Sequence, residues 1–368
     1  MRLTPSDKLV QDLFEPASRM LRENSVAHDP VIGKVSFQYA VFCTAQLEDQ
    51  VTIADLKRLD ALYHSKRAEV DRYSAAIRDA ELRKDSKSLS RLTRDRDRAQ
   101  KLVKMDKAEL NRLHKHQQTF LEKAVENFLS CFTASSDYDH YVPKFTSIWL
   151  KHSNKSEVNS SVMKSLGLVP SFKFLPLLHQ LCSRLSDDAG EFQILLSSLL
   201  SRILHDHPYH SVHQIFSAKH STGDLAATKR ASAAKSLLEA MSKTVKMGDI
   251  SLYHLTMRLE KQFSSYSDLA SLPTTAKAPP SDSFSFDSFP TLREFQSKKM
   301  DPLRLPPPGM EITVQSDRDY RSVPYVQNYS RTFNIAGGVN RPKILDSILS
   351  DGRRFRELVR PLKEVAYS

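Results

Sequence analysis

Between residues 54 and 133 the apolar residues recur three and four apart, and almost everything between them is polar or charged. Leu56, Leu59, Tyr63, Val70, Tyr73 and Ile77 form one run; Leu92, Ala99, Val103, Leu110, Leu113, Phe120, Ala124 and Phe128 form a second. That spacing gives a helix a narrow apolar seam, which one partner helix is enough to cover. RKDSKS at 83–88 supplies the turn. The pattern predicts a long antiparallel coiled-coil hairpin projecting from a larger body.

The rest of the chain reads as mainly α. Helices are predicted over 5–24 and 35–48, then as a series at 142–152, 158–166, 172–184, 190–205, 231–245 and 249–268. Helices that cannot bury a face alone stack in pairs, so a helical solenoid is expected. Only 9 glycines in 368 residues argue against a β-rich or doubly wound fold. Composition shifts at 271, where SLPTTAKAPPSDSFSFDSFP predicts a loop or disordered linker. Beyond Pro306, Pro307 and Pro308 the period shortens. MEITV at 310–314 and TFNIA at 332–336 alternate as strands do, with KILDSIL at 343–349 and FRELV at 355–359 as further candidates. A small β element therefore closes a helical body.

No run approaches the roughly 18 apolar residues that span a bilayer, and residues 1–17 lack the apolar core and cleavage site of a secretory signal. Cys43, Cys131 and Cys182 are far apart, which predicts neither a disulfide framework nor a zinc site. An intracellular chain is expected. The net charge of +11 suits nucleic acid or acidic protein surfaces, and equally suits one basic slice of a more balanced protein. In the hairpin, RLTRDRDRAQK at 91–101 is basic, but acidic residues interleave it and no aromatics do; a solvated face is favoured over a binding arm.

Three constellations could carry chemistry. HDHPYH at 205–210, with His213, gathers imidazoles that could bind metal, but Pro208 interrupts the helix and favours a helix-ending role. His179 and Cys182 lie three apart with no glycine turn beside them, which favours core over nucleophile. Gly337 and Gly338, between two strand-like runs, could let backbone amides approach a phosphate, although such a pair is more often only a turn.

Several stretches, in one collinear order, resemble a known family. YVPKFTSIWLKHS at 141–153, VPSFKFLPLLHQLCSRL at 169–185 and FQILLSSLLSRILHDHPYH at 192–210 resemble the end of the FAT region of ATM-type kinases, including the fungal Tel branch. PPGMEITV at 307–314 and FNIAGGVNRPKILDSILSDGRRFRELV at 333–359 resemble the start of their kinase domain. These are phosphatidylinositol-3-kinase-related serine/threonine protein kinases. The resemblance implies a FAT-type helical region at 1–270, with the hairpin at about 54–133, a Ser/Pro-rich linker at 271–308, an incomplete kinase N-lobe at 309–360 and an off-pattern tail at 361–368.

It also implies a glycine-rich loop over ATP at Ile335, Ala336, Gly337, Gly338, Val339, Asn340 and Arg341, with Lys343 and Arg360 facing the nucleotide. At Arg360 the family has lysine, and arginine's planar fork is no equivalent of an ammonium at a tight phosphate contact. The family continues as Gly-x-Asp-Asp-Leu-Arg-Gln-Asp, whereas this chain reads PLKEVAYS. Phosphoryl transfer needs Mg²⁺ ligands and a catalytic aspartate, which the family keeps in its C-terminal lobe. The expectation is a segment of a nuclear, ATP- and Mg-dependent kinase of DNA-damage signalling and telomere maintenance, inactive alone. Its implied partners are the rest of the kinase domain and N-terminal solenoid, protein substrates, DNA-break sensor proteins and, indirectly, DNA, with no membrane role. The alternative is a non-catalytic helical scaffold with a basic surface that touches nucleic acid.

Overall fold

In the computed structural model, which describes residues 6–24, 30–247, 250–272, 283–296, 305–337 and 341–360, one helix of 49 residues, α5 (Ser86–Ala134), organises the first half of the chain. The chain divides into two units, one up to Pro170 and one from Ser171. In the first, α1 (Ser6–Leu9), a π-helical turn at Val10–Phe14 and α2 (Glu15–Asn24) precede α3 (Pro30–Glu48) and α4 (Gln50–Leu82). After α5 come α6 (Val142–Lys151) and α7 (Ser156–Ser165).

Helices α4 and α5 make the expected hairpin. Asp49 and Asp85 precede them in extended conformation, and their carboxylates accept the amides of Thr52 at 2.9 Å and Ser88 at 3.2 Å. Each caps a donor that a helix start leaves free. The chain reverses through Lys84, whose φ of 56° is left-handed. Ile77 and Ala80 on α4 and Ala99 and Leu110 on α5 are buried in the seam, and Lys66 Nζ donates across it to Asp106 at 2.6 Å.

Past Leu110, α5 changes character. Leu121, Ala124, Val125, Phe128, Leu129 and Phe132 are all buried, because this half is covered by α3, α6 and α7. Gly33 allows the close approach of α3: a Cβ there would stand 2.7 Å from the Cβ of Ser135. Trp149 on α6 is fully buried, and its Nε1 donates to Asn159 Oδ1 on α7 at 3.2 Å. One half of α5 is therefore core and the other half is the outer strand of a projecting hairpin.

The second unit begins with a 3₁₀ stretch at Ser171–Leu177, where α-helix was expected; Pro176 within it cannot donate to a helical ladder. Then follow α8 (Leu178–Ser183), α9 (Glu191–Asp206), α10 (Pro208–Lys219) and α11 (Leu225–Met241). Helix α11 starts earlier than its apolar pattern predicts, because Asp224 caps it by accepting the Ala227 amide at 2.8 Å. A short ribbon, β1 (Lys246–Met247) and β2 (Ile250–Ser251), leads into α12 (Leu252–Ser271). Four antiparallel strands complete the unit in the order β3 (Ser283–Ser285), β4 (Val326–Ile335), β5 (Lys343–Leu349) and β6 (Arg354–Val359).

Two expectations are corrected here. MEITV at 310–314 forms no strand; it is irregular chain bounded by turns. Nor is the Ser/Pro-rich stretch simply a loop. Its residues 283–296 give an edge strand and 3₁₀ turns that place Phe286 and Leu292, both 0% exposed, beside Leu269 on α12 and Phe333 and Leu345 on the sheet. Phe286 lies 5.1 Å from the Phe295 ring and 5.2 Å from that of Phe333. Burial of aromatic area outweighs the local preference of Ser and Pro for irregular chain. The remainder of that stretch, 273–282 and 297–304, lies outside the described residues.

Phe286→Ala is expected to cost about 3–5 kcal/mol in urea unfolding. Met257→Ala, 55% exposed on α12, should cost less than about 1 kcal/mol. Equal costs would show that the aromatic layer is not a core.

Candidate functional site

Strand register fixes which predicted site residues can meet. Ile335 on β4 pairs with Lys343 on β5, and Lys343 pairs with Val359 on β6. The Ala336 amide donates to Pro342 O at 2.8 Å and closes the base of the β4–β5 loop. Gly337 in that loop is exposed and Arg341 has a φ of 38°; Gly338, Val339 and Asn340 lie outside the described residues. Arg360 follows Val359 directly, so it stands at the same end of the sheet as the glycine loop. β6 has no second strand neighbour among the described residues.

Alternation then sorts side chains by face. Ile335, Leu345 and Val359 face the core with Phe333. Lys343 shares that face and is only 4% exposed. Its ammonium donates to Ala270 O at 2.7 Å and Leu272 O at 2.9 Å, the free carbonyls at the end of α12. Burial pushes its pKa down, and the negative end of the helix holds the charge. Lys343, expected to face a nucleotide, instead points to the helix side of the sheet, because its odd position matches Leu345 rather than Ile344.

The opposite face carries Ile344, Asp346 and Ile348 on β5 and Arg354, Arg356 and Leu358 on β6. Arg356 binds Asp346 through two bonds of 2.8 and 3.0 Å. Leu358 is 65% exposed. The same alternation sends Arg360 to this face, and it is exposed. Leu358 and Ile344, directly paired across the strands, are thus an apolar patch beside Arg360, and Ile348 lies beyond the Asp346–Arg356 pair. Sequence reading passed over them, although the alternation in KILDSIL and RFRELV carries the signal.

Under β6 lies a polar layer. Tyr266 on α12 donates to Glu357 at 2.7 Å and stands 3.4 Å from the Tyr329 hydroxyl, which accepts from Gln262 at 2.5 Å. Burial pushes the Glu357 carboxyl up, against the opposing hydrogen bond from Tyr266. A groove of about 840 Å³ follows the free edge of β6, with Phe263, Tyr266, Gly309, Phe355, Glu357 and Arg360 among its lining.

The histidine cluster is a clasp. His207 is 1% exposed, and its Nδ1 lies 2.6 Å from the Tyr320 hydroxyl. His210 Nε2 donates to Ile312 O at 3.1 Å and His213 Nε2 to Pro306 O at 3.3 Å. Buried Asp206 accepts from Ser171 at 2.6 Å and pairs with Arg318 at 2.9 Å. Burial alone would raise its carboxyl, but Ser171, His205 and Arg318 together hold it below the usual range. Tyr320, Ile312, Pro306 and Arg318 all lie on the segment 305–320, so the end of α9 and the start of α10 tie down the chain that leads into the sheet. Cys182 is buried and its thiol is pushed up by burial to about 12, while His179 is exposed, which suits a core position for the cysteine.

Comparison with known proteins agrees with this architecture. No protein-family model matches the chain. The serine/threonine-protein kinase tel1 of Emericella nidulans is 33% identical over 360 residues, which is 97% of this chain. The serine-protein kinase ATM of Sus scrofa is 29% identical over 282 residues, 72% of this chain. The solved FAT and kinase domain of CtTel1 matches 97% of the chain with a TM-score of 0.80 at 29% identity. The chain belongs to the Tel1/ATM kinase family. It spans 12% of the length of the Emericella relative, 9% of that of ATM and 23% of the solved Tel1 chain. What it shares with Tel1 is the FAT region plus the start of the kinase domain.

Lys343→Met keeps the stem and removes the donor, leaving two buried carbonyls unpaired. It should cost about 1–3 kcal/mol in urea unfolding; no loss would mean that the bonds are incidental.

Burial lowers the His207 pKa to about 4, below the unfolded value of about 6.5. Its neutral form is the one that folding selects, so its contribution is complete above pH 6.5 and is lost as pH falls from 6.5 toward 4. Stability of the intact chain should drop over that window, and drop less in His207→Gln. Identical pH profiles for the two proteins would refute this role.

Proposed function

We propose that these 368 residues supply the FAT-type clasp and the first wall of the ATP cleft of a Tel1/ATM-type kinase. In the whole protein the activity is ATP-dependent phosphorylation of protein serine and threonine, in the nucleus, in DNA-damage signalling and telomere maintenance. One observation carries the reading: the register of β4, β5 and β6 puts the glycine loop and Arg360 at one end of the sheet, with Leu358 exposed beside them. A kinase N-lobe needs that juxtaposition, a glycine-containing loop over the phosphates and a cation at the end of the third of these strands.

The residues fit a nucleotide from one side. The loop from Ile335 through Ala336, Gly337, Gly338, Val339 and Asn340 to Arg341 would lie over the phosphates, Arg360 would reach them, and Leu358 and Ile344 would face the base. Lys343 has a positioning part in this reading: it fixes β5 to the end of α12 and so fixes the base of the loop. ATP supplies the phosphoryl group when bound. No group of three or more His, Cys, Asp or Glu among the described residues is arranged to hold Mg²⁺. In this family the C-terminal lobe, beyond the region matched here, holds the metal and the catalytic base. That lobe, the N-terminal solenoid, protein substrates and DNA-break sensor proteins are the partners that the reading implies.

The test replaces the matching segment of a Tel1 kinase with residues 1–360. The chimera should transfer phosphate from Mg-ATP to a peptide, and Arg360→Lys in it should raise the rate by about tenfold, since lysine suits a tight phosphate contact better. The 368-residue chain alone should transfer none. An inert chimera with either residue would refute the N-lobe assignment, and transfer by the chain alone would refute its dependence on a second lobe.

A further inference from the structure

The hairpin is not evenly charged. Residues 60–82 on α4 include four basic and five acidic residues, whereas residues 86–108 on α5 include eight basic and three acidic. Five of those eight, Lys87, Arg91, Arg94, Arg98 and Lys101, follow one another at spacings of four, three, four and three. That places them in a single stripe, on the side of α5 away from the buried seam residues Ala99 and Leu110. All five are exposed. Arg91 makes one loose contact, 3.9 Å to Asp95, and Asp97 is taken by Arg96 at 2.8 Å. Lys87, Arg94, Arg98 and Lys101 form no ion pair among the described residues. The acidic residues of this stretch therefore leave four of the five stripe cations without an ion pair among the described residues.

From Lys87 to Lys101 the stripe runs about 21 Å, against about six phosphates of one strand of B-form DNA at 3.4 Å each. We propose that this stripe is a docking surface for the phosphate backbone of duplex DNA, beyond any part the chain has in a kinase cleft. Charge complementarity sets the partner. A protein partner would need a buried apolar or aromatic anchor; the stripe positions from Lys87 to Lys101 carry only cations, and the exposed apolar residues Leu102 and Met105 stand past its end. A single strand would need stacking platforms, and no Phe, Tyr or Trp lies between Tyr73 and Phe120. Evenly spaced cations on a straight rod match an evenly spaced polyanion. Contact of this kind is independent of base sequence and weakens steeply with salt.

The experiment titrates the whole chain with a 24-base-pair duplex, the matching single strand and a poly-glutamate peptide between 50 and 200 mM salt. With about five phosphates engaged, duplex affinity should fall about 500-fold over that range. Changing Arg91, Arg94, Arg98 and Lys101 together to Gln should flatten the logarithmic salt slope by about 3 to 4 and weaken binding at least about tenfold at 50 mM. A control variant that changes exposed Lys151, Lys164, Arg184 and Lys243 to Gln removes the same charge elsewhere. Matched thermal melting of both variants excludes unfolding as the cause. Absence of duplex binding at 50 mM salt, an equal loss in the control variant, or preference for the single strand or the peptide would each overturn the proposal.

Discussion

Lys343 puts a positive charge into the layer between α12 and the sheet, and the surrounding chain is arranged to accept it. Strand alternation commits it inward with Phe333, Leu345 and Val359, where water cannot solvate it. The two carbonyls that end α12 do so instead. One contact therefore sets the axial position of α12 against β5, and through the register of β5 it sets β4, β6 and the loop between Ile335 and Lys343. An apolar residue there would pack, but it would not specify where along the helix the strand must stop. This is how a buried polar group gives a unique arrangement rather than mere affinity.

The clasp at the start of α10 acts in a related way with neutral groups. Proline at the first helical position fixes the turn without wasting a donor. It leaves His207, His210 and His213 to reach three separate points on one incoming segment. That segment has no ladder of its own, so its backbone carbonyls need partners from elsewhere. Imidazoles suit such contacts because they are large enough to bury and can donate or accept without carrying charge.

What the sequence made legible follows the range of the forces involved. The hairpin, most of the solenoid-like helices and the strands β4 to β6 are written in local periodicity, but α10 is not among the expected helices, and α11 and β4 each begin six residues before their expected starts. Hidden features depended on distance along the chain. Nothing near His210 announces that its partner is the carbonyl of Ile312, 102 residues on. MEITV alternates like a strand yet ends irregular, with the Ile312 carbonyl bound by His210 on α10 rather than by a neighbouring strand. In the Ser/Pro-rich stretch the alternating Phe284 and Phe286 were the useful signal, and average composition concealed it. At the sheet end, the resemblance to a kinase family indicated the loop and Arg360, but only alternation parity separates Lys343 from the face on which Leu358 and Arg360 stand.

Helix α5 runs unbroken from the hairpin turn into the core of the first unit, and this makes it a lever. From Ser86 to Phe120 the arm is about 51 Å, and its fulcrum is the packed layer around Phe120, Phe128 and Phe132. A tilt of about 3° at that layer sweeps the turn through nearly 3 Å, by simple proportion from the helical rise. Conversely, a load on the arm reaches the aromatic layer with mechanical advantage, since close-packed interiors transmit strain rather than absorb it. The hairpin's seam leaves it half in water, whereas the end in which it is rooted is closely packed.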